Sequence, residues 1–139
     1  MKKVTISTSG HQKDLSGSME KISHFTEGQY YFRNNKHYIK YNDDSVDKEN
    51  VIRTTIKTDG QSLNIFRRGA LDTDMTFVMG KTTHTMYRTP YSAMELEICT
   101  KDLSICMNEA CGEVDLLYDM AVNGSVVGEY KLHLEIREI

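Results

Sequence analysis

The sequence has no tryptophan, one proline, three cysteines and no long apolar run, and each scarcity removes a class of protein. Nothing in it approaches the roughly 18 consecutive apolar residues of a membrane-spanning helix. The opening Met1-Lys2-Lys3 leads into alternating apolar and polar residues rather than the apolar core of a secretory signal. Cys99, Cys106 and Cys111 are odd in number and form no CxxC pair, so neither a disulfide framework nor a zinc knuckle is encoded. These features together point to a reducing cytoplasm and no membrane partner. Seventeen Lys and Arg against 20 Asp and Glu leave a net charge of −3, which gives no electrostatic footprint for a polyanion, so no nucleic-acid partner is expected.

Catalytic and cofactor signatures are equally scarce. The scattered glycines form no GxGxxG or GxxxxGK phosphate cradle, and there is no GxSxG elbow. His11, His24, His37, His84 and His133 never fall into HxH, HxxxH or HExxH spacing. The acidic run Asp43, Asp44, Asp47 and Glu49 lacks the glycine and closing glutamate of a calcium loop. No metal, no cofactor and no catalytic set is therefore expected; an enzyme acting at a barrel mouth through His11, Gln12 or Tyr87 would have only that location in its favour.

What is present is two-residue periodicity cut by tight-turn dipeptides, the signal of antiparallel sheet. Alternation runs through Val4 to Ser9, Glu20 to Thr26, Gln29 to Arg33, Lys36 to Tyr41, Val51 to Thr58, Gln61 to Arg68, Asp74 to Met79, Thr82 to Thr89, Ser92 to Thr100, Leu103 to Met107, Gly112 to Val122 and Val126 to Ile139. Turns are expected at Glu27-Gly28, Asn34-Asn35, Asp59-Gly60, Gly80-Lys81 and Asn123-Gly124, with a mobile polar connection through Gly17 and a surface loop at Asn42 to Asn50. A meander of about ten strands without a crossover helix must curl to bury one face and hide its edges, so residues 1–139 are read as one all-β domain, an antiparallel up-and-down barrel. Alternation sends Ile52/Thr54/Ile56, Leu63/Ile65/Arg67, Met75/Phe77/Met79, Met94/Leu96/Ile98/Thr100, Val114/Leu116/Tyr118 and Tyr130/Leu132/Leu134/Ile136 inward.

Several stretches in this order resemble one family. Val4-x-Ile6 running to Gly10-x-Gln12, Thr26-Glu27-Gly28-x-Tyr30, Tyr38-Ile39-x-Tyr41, Leu63-x-Ile65-x-Arg67-x-Gly69, Met75-x-Phe77, Tyr87-x-Thr89-Pro90-Tyr91 and Leu116-x-Tyr118 together are similar to the DUF1934 family. The resemblance implies a calycin-like, lipocalin-type β-barrel of about 8–10 strands in a bacterial cytoplasmic protein. It implies no activity.

Arg67 is the most informative residue, because it shares the parity of Leu63 and Ile65 and an unpaired guanidinium in an apolar interior is costly. Either a ligand's carboxylate or phosphate meets its planar fork, or protein groups close the barrel end around it. Tyr41, Tyr87, Tyr118, Thr54, Thr100 and Gln12 are the polar groups that could share such a site. The expectation is a small, partly apolar ligand in the barrel, its anionic group, where it has one, anchored by Arg67. The alternative is a solid core and a protein that acts through its outer surface or as a homodimer, with Tyr31, Tyr38, Leu117 and Cys99 on outward faces.

Overall fold

The structure is a computed structural model and describes residues 1–43 and 49–139. Ten strands follow one another without a helix: β1 (Lys2–Asp14), β2 (Met19–Arg33), β3 (Lys36–Asp43), β4 (Ile52–Thr58), β5 (Ser62–Arg68), β6 (Thr73–Val78), β7 (Thr82–Arg88), β8 (Ala93–Asn108), β9 (Cys111–Val122) and β10 (Ser125–Glu138). They form one antiparallel sheet in the order β6-β5-β4-β3-β2-β1-β10-β9-β8-β7. The sheet curls until its two ends meet, giving a nearly closed barrel. β6 and β7 share no ladder there. The described residues join them through paired Asp72 and Arg88 backbone bonds of 2.7 and 2.9 Å and a 2.6 Å bond from Thr83 Oγ1 to the Thr76 carbonyl. The Gly80-Lys81 turn is closed by the Lys81 N–H on the Val78 carbonyl at 2.9 Å, but no ladder follows it, so the two strands meet as a seam; Gly80 and Lys81 also bond the Thr100 backbone on β8.

Local chemistry accounts for the turns. Asn34 and Asn35 both adopt positive φ (53° and 61°), as do Asn123 and Gly124 (49° and 85°), the backbone that matches the right-handed twist of flanking strands. At Asp59-Gly60 only Gly60 has positive φ. The Asp59 carboxylate instead accepts the N–H groups of Gln61 and Ser62 at 2.9 and 2.8 Å, so a side-chain-braced turn replaces the expected two-residue one. The connection through Gly17 is likewise compact, with Asp14 Oδ1 accepting the N–H groups of Ser16 and Ser18 at 3.0 Å each.

Two predicted breaks are absent. Glu27-Gly28 is not a turn: β2 runs straight through it, and Gly28 marks a close crossing, where a Cβ would lie 2.5 Å from the Lys40 carbonyl oxygen and 2.7 Å from Ile6 Cδ1. The segments Ser92–Thr100 and Leu103–Met107 are one strand, β8, with a register shift between Thr100 and Asp102. The extra residue, Lys101, resets the alternation so that Thr100 and Leu103, three apart, are both buried. Met79 was expected inside, but it follows the end of β6 and is 48% exposed. The acidic loop falls partly outside the described residues, at positions 44–48.

The remaining inward parities hold, and Val4, Ile6, Ile39, Leu63, Phe77, Ile98, Val114, Leu116, Leu134 and Ile136 form the buried core. Burying such side chains stabilises the fold by about 1.5–3 kcal/mol each, the dominant favourable term.

Candidate functional site

Apart from Thr58, which bonds the Ser62 carbonyl at the turn, the buried threonines of the interior fall into two cross-strand rows with other polar side chains. In an antiparallel ladder opposite residues share a face. One row crosses β3 to β6 as Tyr41–Thr54–Arg67–Thr73. The other crosses β8, β9, β10, β1 and β2 as Thr100–Tyr118–Tyr130–Gln12–Glu20. Thr54, Thr73 and Thr100 are all but inaccessible, so these are interior rows.

Between the rows lies a cavity of about 340 Å³. Arg67, Tyr41, Tyr118, Tyr130 and Gln12 give it polar groups, while Ile56, Ile65, Met75, Phe77, Leu132 and Leu134 give it an apolar wall. Its mouth opens where β2 and β3 part. β3 pairs with β2 only over Gln29 to Arg33, whereas Met19 to Gly28 of β2 pair only with β1 among the described residues. Glu20, Ile22 and His24 of β2 and Asp43 of β3 line this gap. A few convergent polar groups in an apolar cavity of this size suit a small molecule, for which cavities run from about 300 to 1,000 Å³.

The hydrogen-bond accounting singles out the same rows. Among the described residues, four buried side-chain atoms lack a well-formed hydrogen bond: Thr54 Oγ1, which has only a loose contact with the Tyr41 hydroxyl, Arg67 Nε, Thr73 Oγ1 and Thr100 Oγ1. All four belong to the two rows, and no ion pair with a described residue neutralises Arg67. Such orphans each cost roughly 1–3 kcal/mol, and of the four Arg67 is the one that lines the cavity. Burial pushes the Tyr118 phenol up to about 12, with Arg67 pulling the other way and Tyr130 adding to the rise. Burial also raises Tyr41, again opposed by Arg67. Both phenols are neutral donors at physiological pH. Tyr118 is held by ring contacts to Phe77 (5.0 Å) and, stacked, to Tyr130 (5.2 Å).

Of the residues picked from sequence, Arg67, Tyr118, Tyr41 and Gln12 line the cavity. Thr54 and Thr100 stand in the same rows without lining it. Tyr87 is not brought to it: the residue shares the inward parity of Thr83 and Thr85 but sits beside the Asp72–Arg88 bridge at the end of the seam. Tyr130, Thr73, Glu20 and His24 were not singled out. Parity already put Tyr130 inward, and Thr73 shares the parity of Met75 and Phe77; Glu20 and His24 needed the β1–β2 register. His11 borders the cavity as well.

The outer surface holds the other candidates. Cys99 is exposed, while Tyr31, Tyr38 and Leu117 are half-buried. His84 has the Glu95 carboxylate 3.9 Å away, a partner that only the β7–β8 register supplies. Glu113, His133 and Glu135 bring potential ligand atoms within 4.8 Å of one another. Arg137 already engages Glu135, and Asp115 lies 2.7 Å from His133 Nδ1, so two of the three groups already have protein partners.

Fold and site define an antiparallel β-barrel with an interior cavity of small-molecule size. A family model described as "Domain of unknown function (DUF1934)" matches residues 5–134, and the chain belongs to that family. The "Uncharacterized beta-barrel protein YwiB" of Bacillus subtilis (strain 168) is 29% identical over 106 residues, covering 76% of this chain and 73% of the relative. The crystal structure of the ywiB protein from Bacillus subtilis superposes with a TM-score of 0.88 at 24% identity, over 99% of this chain and 92% of that one, so the two share the barrel fold.

Proposed function

We propose that the protein binds a small, partly apolar molecule bearing a carboxylate or phosphate inside the barrel, with Arg67 gripping the anionic group. The observation that carries this reading is the Arg67 side chain in the cavity wall, whose buried Nε has no partner among the described residues; the other three unpartnered atoms stand in the same rows without lining the cavity. A planar guanidinium with free donors is matched to a bidentate oxyanion. The neutral phenols of Tyr41 and Tyr118 are placed to donate further bonds, and Ile65, Met75 and Phe77 would cover the apolar part. Use of the interior in this way is lipocalin-like. The three exposed free cysteines fit a reducing compartment, which supports a carrier or sensor within the cytoplasm rather than a secreted one.

Native mass spectrometry of protein purified from its own host, followed by denaturation and identification of released molecules, tests the reading. A bound acid present in wild type and missing from Arg67→Met is the expected result. If the host-purified protein is empty, and neither carboxylates nor phosphate esters raise its melting temperature, the reading fails.

A further inference from the structure

We infer that the outer face of β2 to β5 is a second binding site, for the backbone of single-stranded nucleic acid. The site is centred on outward-facing side chains, and its groove meets the barrel cavity at Tyr41. The net charge of −3 is an average over two unlike sides. Outward on β3, β4 and β5 stand Lys36, Lys40, Arg53, Lys57 and Arg68, while Arg67 and Asp43 of these strands line the cavity inside. β8 and β9 carry Glu95, Glu97, Asp102, Glu113, Asp115 and Asp119 against Lys101. In the sheet order these two groups stand half a circumference apart.

On the basic side runs a groove of about 860 Å³. Its centre is a four-membered stack. Tyr31 and Tyr38 are cross-strand partners with rings 4.7 Å apart and nearly parallel, and Lys40 and Lys57 cap the pair at 5.5 and 5.7 Å from the ring centroids. The rings hold the lysine stems, so two ammonium groups are oriented before any ligand arrives. Arg53 adds a third positive charge, four residues from Lys57 on β4, about 13 Å along the strand. None of these three cations has an ion pair among the described residues, whereas Arg68, also in the groove, is bonded to Asp74 at 2.6 Å. Glu27 is the groove's one carboxylate, and the half-buried Phe66 ring contributes to its lining.

The occupant follows from what the groove offers. Its central cluster of Tyr31, Tyr38, Lys40 and Lys57 lies over the paired part of β2, β3 and β4, so an acidic peptide adding as a strand at the gap beyond Gln29 would run past that cluster rather than along it. A second copy offering its acidic β8–β9 side would make a head-to-tail contact, because the complementary faces lie on opposite sides of the barrel, and such contacts propagate instead of closing a dimer. A single nucleic-acid strand needs spaced cations and some aromatic surface; Lys40, Lys57 and Arg53 supply the first, and the Phe66 ring, since the tyrosine faces are already taken, the second.

Fluorescence anisotropy with a short dye-labelled oligothymidylate at low salt tests the inference. Three neutralised phosphates give a slope of log K against log salt of about −2, near −0.7 for each. Lys57→Gln should flatten the slope by about 0.7, and Lys40→Glu with Lys57→Glu should weaken binding by more than about tenfold. Lys81→Glu, in the β6–β7 turn, should bind as wild type. All the changed side chains are at the surface, and circular dichroism confirms that each variant is folded. No binding at low salt overturns the inference, as does a double variant that binds like wild type. Equal competition by polyglutamate would assign the groove to an acidic protein, and equal competition by inorganic phosphate to a small anion; either result also overturns it.

Discussion

Replacing Arg67 by methionine separates a ligand anchor from a structural strut, because the two roles predict opposite signs. Methionine keeps much of the length and apolar stem of arginine and removes the guanidinium. In this barrel that group has a buried Nε without a partner and no ion pair among the described residues. Its removal therefore abolishes a desolvation cost without orphaning a neighbour. Replacing a buried charge by an apolar side chain of similar volume is neutral or stabilising by roughly 1–4 kcal/mol, and a single orphaned donor costs about 1–3 kcal/mol. The ligand-free Arg67→Met protein should accordingly be as stable as wild type or up to about 3 kcal/mol more stable. For a chain of this length that is a rise of about 3–5 °C per kcal/mol in melting temperature. Urea titration of protein refolded free of ligand is the assay, since a ligand present at 100 times its Kd would add about 2.7 kcal/mol to wild type alone and reverse the order. A loss of about 3–5 kcal/mol in the ligand-free variant would refute the reasoning, because that is the cost of breaking a buried charge out of a satisfied network.

Two further outcomes are expected. Gly28→Ala should destabilise by about 2–3 kcal/mol in the same titration, because its Cβ would press on the Lys40 carbonyl and the Ile6 side chain where β2 crosses β3; an unchanged midpoint would show that the crossing is loose. Tyr118, ordinarily ionising near 10 and raised to about 12 in the fold, contributes stability that is complete below pH 10 and is lost as pH rises toward 12, in total about 3 kcal/mol. Tyr118→Phe should remove that share of the alkaline decline and leave the share of the other raised phenols, Tyr41, Tyr30 and Tyr130, and an identical decline in the variant would count against it.

Much of the barrel was legible because its signals are local. Alternation gave the inward face of nearly every strand, and paired asparagines marked a hairpin that the structure confirms. The failures were places where one residue carries two readings. Glu27-Gly28 looks like a turn in sequence, and only the packing of Ile6 and Lys40 shows that the glycine serves a crossing. Thr100 to Leu103 reads as a strand end because a bulge inverts the alternation that sequence reading relies on. Within the cavity, Arg67, Tyr118 and Tyr41 could be picked by parity alone. The rows could not, since Tyr41–Thr54–Arg67–Thr73 exists only in the register of four strands. Tyr87 has the parity for the interior, but its height along the barrel depends on how the seam closes.

The seam has a mechanical consequence. A wall of hydrogen-bonded strands resists stretching wherever its ladders are continuous, and here they run from β6 around to β7 with an interruption where β2 and β3 part at the mouth. Among the described residues the two margins of the wall meet without a ladder, held by a backbone bridge and a threonine hydroxyl. β6, one of those margins, supplies Met75 and Phe77 to the cavity. The barrel thus behaves less like a rigid can than like a split ring, whose bore is adjusted by parting the ends while the rest of the hoop stays intact.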